Sequence, residues 1–213
     1  IGAASDFITA PEVSQVFGEA MGAWIAATWQ ALAAADPVQL VEFGPGRGTL
    51  LADALRTLGR LRPDLVAALR LHLIETSPLL AAMQRRALAD IALVAPPVWH
   101  ERLDSVPAGP TIALANEFFD ALPIRQFVRV GDGWRERRVG LAADGQALVF
   151  VAGPLAELPA GLADAAEGAA EDEIVETCPA GEELAAALAS RLAAAGGAAL
   201  VIDYGHARAA PGD

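Results

Sequence analysis

Apolar positions in this chain fall into short continuous runs and into stripes with helical spacing. The helical stripes lie between the runs and predict helices over residues 49–59, 63–68, 77–89 and 184–195. Strands that alternate with helices form parallel sheets with helices on both faces, so the pattern predicts a Rossmann-like α/β fold. The short, mostly apolar runs predict its strands over residues 38–43, 69–74, 98–100, 111–115 and 198–202.

An N-terminal stretch precedes this alternation. Thr9 and Glu12 form a capping-box pattern, Pro11 lies in the first turn, and Asp36-Pro37 ends an amphipathic stripe. The stretch predicts one long helix, and we interpret its apolar stripe as core packing against the sheet.

A second stretch interrupts the alternation after the fourth predicted strand. Residues 124–130, 134–141 and 147–151 have the pattern of antiparallel strands joined by glycine turns, and they predict a small antiparallel β insertion. Residues 153–176 are rich in Pro, Ala, Gly and acid, and they predict a surface loop with some helix around 162–167. The insertion and its acidic loop are thus expected over 124–177.

Composition restricts the classes of function. The 213 residues suit one domain, and no apolar run reaches the 18 or so residues that a membrane span needs. A net charge of −12 argues against nucleic acid as the main ligand. All 15 basic residues are Arg, which is typical of a GC-rich bacterial genome, and the single Cys178 fits a reducing cytoplasm. The three histidines are too scattered to predict a metal site.

Residues 40–50 carry the clearest chemical signal. They read Leu-Val-Glu-Phe-Gly-Pro-Gly-Arg-Gly-Thr-Leu, a strand ending near Glu42 followed by alternate glycines. Glycine permits positive φ and close approach of a ligand, and the helix start that follows offers free N–H groups. A dinucleotide fingerprint needs glycine where Thr49 stands, which disfavours an NAD-dependent oxidoreductase. The pattern E-x-G-x-G-x-G instead resembles motif I of class I S-adenosylmethionine (SAM) methyltransferases; a structural turn that binds no ligand is the alternative.

That resemblance assigns the loop to the methionine end of SAM. The residues expected to hold it are Glu42, Gly44, Pro45, Gly46 and Gly48.

Polar residues follow the other predicted strands, and ligands of such sheets bind beyond the carboxyl ends of the strands. Glu75 follows the second strand, where a carboxylate can accept hydrogen bonds from both ribose hydroxyls. It lies farther from the glycine loop than the usual spacing, and the extra residues 60–68 account for the difference. The alternative for Glu75 is a surface glutamate.

Residues 116–123 read Asn-Glu-Phe-Phe-Asp-Ala-Leu-Pro and follow an apolar strand. Glu117 and Asp120, with Asn116 beside them, can hold a guanidinium or ammonium for in-line attack on a sulfonium methyl. These three are the candidate catalytic residues. In the alternative, Asn116 and Asp120 cap a turn while Phe118 and Phe119 pack in the core.

The lead-in over residues 5–15 is dense in polar groups and can fold over the cofactor as a lid. Its candidate cofactor-binding residues are Asp6, Thr9, Glu12, Ser14 and Gln15. The alternative is helix capping by Thr9 and Glu12, with Ser14 and Gln15 facing solvent.

Four motifs in this order are similar to the MidA family, which contains the mitochondrial complex I assembly methyltransferase and bacterial relatives. The motifs are residues 6–15, 42–50, 116–123 and 201–205 (Val-Ile-Asp-Tyr-Gly). The resemblance implies a class I SAM-dependent methyltransferase fold with SAM as cofactor. For the mitochondrial member it implies dimethylation of an arginine on a complex I subunit. It also implies that residues 6–15 and 116–123 line the site.

The chain departs from the family pattern at three places. Ser5 replaces a usual Gly, Phe43 replaces a usual Leu, and the chain stops at Asp213 where family members continue. The chain also begins at Ile1 with no visible secretory signal. We therefore expect residues 1–213 to be a methyltransferase domain that is incomplete at its C-terminus.

The resulting hypothesis is a SAM-dependent protein arginine methyltransferase of a bacterial cytoplasm. Its expected partner is a respiratory-complex-type or other protein that presents an arginine, and its oligomeric state is left open. The rival hypothesis is a SAM-binding scaffold or assembly factor without catalytic turnover.

Overall fold

A computed structural model gives the structure of the chain and describes residues 10–32, 37–164, 166–205 and 211–212. The chain divides into two compact units. The first unit comprises Ile1–Asp120 with Leu184–Asp203, and the second comprises Ala121–Glu183 with Tyr204–Asp213.

Helices and strands alternate through the first unit, whereas strands dominate the second. In chain order the elements are α1 (Ala10–Val13), α2 (Gln15–Leu32), β1 (Val38–Phe43), α3 (Thr49–Leu61), α4 (Pro63–Ala68), β2 (Leu69–Ile74), α5 (Pro78–Ala87), β3 (Val98–His100), β4 (Thr111–Asn116), β5 (Arg125–Val130), β6 (Gly133–Leu141), β7 (Leu148–Ala156), β8 (Ile174–Thr177), α6 (Pro179–Ala195) and β9 (Gly197–Ile202).

A five-stranded sheet organises the first unit. Its strand order is β3-β2-β1-β4-β9, and every neighbouring pair is parallel. The chain steps outward from β1 to β3 on one side and from β4 to β9 on the other, so the order reverses between β1 and β4. The carboxyl ends of these two strands form the crevice where ligands of such sheets bind.

The central strand β1 is buried along its whole length. Val38 and Leu40 pack in one apolar cluster with residues of α2 and α3, whereas Val41 and Phe43 pack in another with Leu188 of α6. Alternate residues of the strand therefore face opposite layers, as a strand with a two-residue side-chain period requires. The prediction of a Rossmann-like sheet with helices on both faces is confirmed.

Two small residues determine how α2 packs against α3. A Cβ atom at Gly18 would lie 2.4 Å from the Cβ of Asp53, and one at Gly22 would lie 2.7 Å from the carbonyl oxygen of Ala54. Glycine at both positions lets the two helix backbones approach closely, which holds the N-terminal helix on the layer next to the sheet.

The prediction of one long N-terminal helix was wrong in detail. The helix is divided at Ser14, whose hydroxyl oxygen accepts a hydrogen bond from the backbone N–H of Val16 at 3.2 Å. The side chain of Ile25 is fully buried as predicted, but Val13 and Val16 are exposed because they lie at this division. Thr9 and Asp36 lie outside the described residues.

The second unit contains a four-stranded antiparallel sheet in the order β7-β6-β5-β8. This confirms the predicted β insertion after the fourth strand. The prediction of a surface loop over 153–176 was wrong at both ends. At its start, β7 continues to Ala156. At its end, β8 pairs with β5, and Val175 lies opposite the buried Phe127. A single 3₁₀ turn at Ala160–Leu162 replaces most of the helix expected around 162–167.

The helices of the described residues include none that combines the length and the apolar character of a membrane span.

Candidate functional site

The glycine loop between β1 and α3 has the conformation that its sequence predicts. Gly44, Gly46 and Gly48 have φ values of 57°, 55° and 83°, a region that residues with a Cβ rarely adopt. The N–H of Gly48 donates to the carbonyl of Pro45 at 2.8 Å, which closes a tight turn around the buried Pro45. A Cβ built at Gly46 meets no atom within 4 Å, so the protein leaves space beside this residue.

α3 begins directly after this turn. Its N-cap residue, Gly48, provides no side-chain cap. The first N–H groups of a helix have no intrahelical partner, and they favour a polar or anionic ligand group. The loop and the helix start thus form one edge of a cradle at the carboxyl end of β1.

Glu42 lies in β1, two residues before the first glycine of the loop, and its carboxyl group is buried. Only 3% of the residue is exposed, and its Oε2 atom has no hydrogen-bond partner among the described residues. Burial raises the pKa of Glu42 from 4.5 to about 8, because the charged form loses its hydration. A buried carboxyl with an unpartnered oxygen suits a cationic ligand group, which would supply both the charge and the hydrogen bond.

We expect this carboxyl to make stability depend on pH. The folded pKa lies above the unfolded value, so the contribution of Glu42 is fully present below pH 4.5 and is lost as the pH rises towards about 8. Between about pH 5.5 and pH 7.5, the wild type should lose about 2 kcal/mol more unfolding free energy than Glu42→Gln. Urea denaturation over this range measures the difference, and parallel pH profiles of the two proteins would contradict it.

Glu75 stands at the end of β2 with both carboxylate oxygens held in place. Oε1 accepts from the N–H of Ser77 at 2.8 Å, and Oε2 accepts from Nε2 of Gln84 at 2.9 Å. The residue is half-buried. Each carboxylate oxygen keeps further lone-pair directions, so an oriented Glu75 can still accept hydrogen bonds from ribose hydroxyls. Unlike a solvent-exposed surface glutamate, Glu75 is half-buried and is held in one orientation by two hydrogen bonds.

The segment at the carboxyl end of β4 contains polar side chains and a residue with a strained backbone conformation. Asn116 is half-buried, and its Oδ1 atom has no hydrogen-bond partner among the described residues. Glu117 has φ 48°, a conformation that costs on the order of 1–3 kcal/mol for a non-glycine residue and is concentrated at functional sites. Its N–H donates to the carbonyl of Ile202 at 2.8 Å, which fixes the segment against β9.

Phe118 links this segment to the glycine loop. Its ring lies 5.5 Å from that of Phe43, and a Cβ at Gly44 would approach its Cδ2 atom to 2.6 Å. Phe119 packs edge-on against Phe118 at 5.7 Å. The two aromatic residues are therefore packing residues, as the alternative interpretation held for them, whereas the side chain of Asp120 is exposed.

Asp203 holds the same segment from the end of β9. Its Oδ2 atom accepts from the N–H groups of Phe119 at 2.8 Å and Asp120 at 3.2 Å. In the sequence, Asp203 belongs to the motif of residues 201–205 and directly follows the predicted strand 198–202, but the motif alone assigns it no role. Because its two partners lie more than 80 residues away in the chain, only the fold brings them together.

Within its described residues 10–15, the N-terminal motif contacts the glycine loop through an ion pair. Oε1 of Glu12 lies 3.5 Å from Nη1 of Arg47. Ser14 caps α2, and Nε2 of Gln15 donates to Oε1 of Glu19 at 3.0 Å, so the contacts of these two residues are local. Asp6 and Thr9 lie outside the described residues.

A comparison with protein families gives a match over residues 20–213. The matching family is described as "Putative S-adenosyl-L-methionine-dependent methyltransferase".

Two curated relatives are similar to nearly the whole chain. The chain is 37% identical over 225 residues to protein arginine methyltransferase NDUFAF7, mitochondrial, of Danio rerio, and 39% identical over 228 residues to the Mus musculus protein of that name. The aligned region is 97% of this chain in both cases, but 53% and 51% of the relatives. The chain thus spans about half the length of the curated relatives it matches.

Two solved structures from Burkholderia thailandensis resemble the fold. A protein bound to S-adenosyl-homocysteine superimposes with a TM-score of 0.75 at 31% identity, and the match covers 95% of this chain and 50% of that one. A second structure gives a TM-score of 0.73 at 31% identity, with coverage of 94% and 51%.

Proposed function

Since the chain belongs to this family of S-adenosyl-L-methionine-dependent methyltransferases, we propose that it binds SAM and transfers a methyl group from it to an arginine of a protein. The observation that carries the proposal is the cradle after β1, where the space beside Gly46 is open and the buried carboxyl group of Glu42 has an oxygen, Oε2, with no hydrogen-bond partner among the described residues. Glu42, Gly44, Pro45, Gly46 and Gly48 would hold the methionine end of the cofactor, and Glu75 its ribose.

SAM supplies a methyl group on a sulfonium, and the protein must present a nitrogen in line with it. Asn116, Glu117 and Asp120 are proposed as the catalytic residues. Carboxylates match the planar guanidinium fork and would orient the attacking nitrogen. Positioning of this kind supplies several kcal/mol of a transfer barrier. The strained backbone of Glu117 supports this role, because strained backbone conformations are concentrated at active sites.

The N-terminal motif is proposed to close over the cofactor. Glu12 would do so through its ion pair with Arg47 of the glycine loop, at 3.5 Å. Asp6, Thr9, Ser14 and Gln15 complete the proposed lid.

We propose a protein partner with an exposed arginine, of a respiratory-complex type or another kind, in a bacterial cytoplasm. The net charge of −12 supports a cationic protein surface over a nucleic acid as partner. The exclusive use of Arg as basic residue supports a bacterial origin.

Transfer from radiolabelled SAM to proteins of a bacterial lysate tests the function. We expect label on a defined protein, with mass spectrometry locating it on an arginine. Label on other residue types would leave a methyltransferase but contradict arginine as the acceptor. SAM binding with no transfer would favour the rival proposal, a SAM-binding scaffold or assembly factor without catalytic turnover.

A further inference from the structure

Gln84 is a fully buried amide inside the first unit, with an exposed fraction of 0%. Gln84 lies on one buried stripe with Ala81, three residues before it on α5, and Leu88, four residues after it. Both of these neighbours are buried. A glutamine on a buried helical stripe must find hydrogen-bond partners, because an unpaired amide there costs about 1–3 kcal/mol.

Both N–H groups of this amide and its oxygen form hydrogen bonds. Nε2 donates to the carbonyl oxygen of Gly46 at 2.8 Å and to Oε2 of Glu75 at 2.9 Å, while Oε1 accepts from Nε1 of Trp99 at 2.8 Å. An indole nitrogen can only donate, so Oε1 must face Trp99 and the NH₂ group must face the other two acceptors. Chemistry therefore fixes the orientation of the amide.

The three partners belong to three different segments: the glycine loop, the end of β2, and β3. Gln84 also lies against the loop backbone, since a Cβ at Gly48 would come within 3.2 Å of its Cα atom. One side chain thus fixes the position of the loop carbonyl relative to the carboxylate. Together with the N–H of Ser77 on the other oxygen, it determines the rotamer of Glu75.

We propose that Gln84 is a positioning residue for the cofactor ribose. It acts through Glu75, whose carboxylate it orients towards the two ribose hydroxyls, and through Gly46, whose carbonyl oxygen it holds in a hydrogen bond of 2.8 Å. This proposal rests on the proposed function, since it presupposes that an adenosyl ligand occupies the cradle.

The test uses Gln84→Met, which keeps the length of the side chain and removes the amide. We measure binding of S-adenosylhomocysteine and of its 2′-deoxy analogue by calorimetry. The wild type should bind the 2′-deoxy analogue about tenfold more weakly than the parent compound, as expected for one lost hydrogen bond to a charged group. The variant should bind the parent about 10- to 100-fold more weakly and should discriminate between the two compounds less than about threefold.

Gln39→Met is the matched control. Gln39 is also a buried glutamine of the first unit, and its Oε1 atom lies 2.7 Å from Nε2 of His72. It stands near the opposite end of β1 from the glycine loop. We expect this variant to lose stability in urea and to bind both compounds within about threefold of the wild type.

A second variant covers the case in which Gln84→Met does not fold. Trp99→Phe keeps an aromatic ring beneath the guanidinium of Arg85, which lies 4.1 Å from the ring centroid, but removes the N–H that orients the amide. It should weaken discrimination between the two compounds in the same direction.

Equal weakening for both compounds, or unchanged affinity for both, would overturn the positioning role alone. If the wild type bound neither compound, the proposed function would fail and this role with it.

Discussion

A chain with valine in place of Gly46 should lose measurable binding of SAM while it stays folded. Gly46 has φ 55°, which a β-branched residue adopts only at a cost on the order of 1–3 kcal/mol, and its side chain would project into the open space beside the loop. Strain and occlusion together should raise the dissociation constant at least about 100-fold, which corresponds to about 2.7 kcal/mol. Calorimetric titration measures it.

Gly59→Val provides the matched control for this variant. Gly59 lies on an exposed face of α3, and a Cβ there also meets no atom within 4 Å. The same chemical change is thus made in the same unit, away from the loop and without a positive φ. Its affinity for SAM should stay within about threefold of the wild type, with only a helix-propensity effect on stability. Unchanged binding by Gly46→Val would refute the role of the loop.

The second large effect is expected at Glu117. Glu117→Gln keeps the shape of the side chain and removes its charge, so methyl transfer should fall by about 10²- to 10³-fold, as for the loss of one oriented electrostatic group at a reacting centre. Binding of S-adenosylhomocysteine should stay within about threefold, because the glycine loop and Glu75 are untouched. Label transfer to the lysate protein and calorimetry measure the two quantities.

Glu101→Gln serves as its control, since Glu101 is an exposed residue of the same unit that lies beyond β3. It should leave both transfer and binding unchanged. Full transfer activity in Glu117→Gln would remove Glu117 from the proposed catalytic set, and equal losses of transfer and binding would point to a damaged fold instead.

The parallel sheet was largely predictable because its strands are short, mostly apolar runs that alternate with apolar stripes at helical spacing. The predicted bounds of β1, β2 and β3 agree with the structure. β8 was missed because it has four residues in an acidic stretch, and only its pairing with β5 makes it a strand. The division of the N-terminal helix at Ser14 was missed because the apolar period continues across it.

The site was predictable only where its residues are neighbours in the sequence. The glycine loop and Glu42 could be identified because the residues that define them are consecutive in the chain. The contacts of Gln84 and Asp203 could not, because their partners come from segments that only the fold brings together. A polar residue on the buried stripe of α5 was the one available signal for Gln84, and it indicates burial without naming the partners.

The most direct measurement is a crystal structure of the chain grown with S-adenosylhomocysteine. We predict density for the ligand against the backbone of residues 44–48, with its amino group near Glu42 and its ribose hydroxyls on Glu75. Density for the ligand elsewhere, or a cradle filled by protein side chains at saturating ligand, would contradict the account.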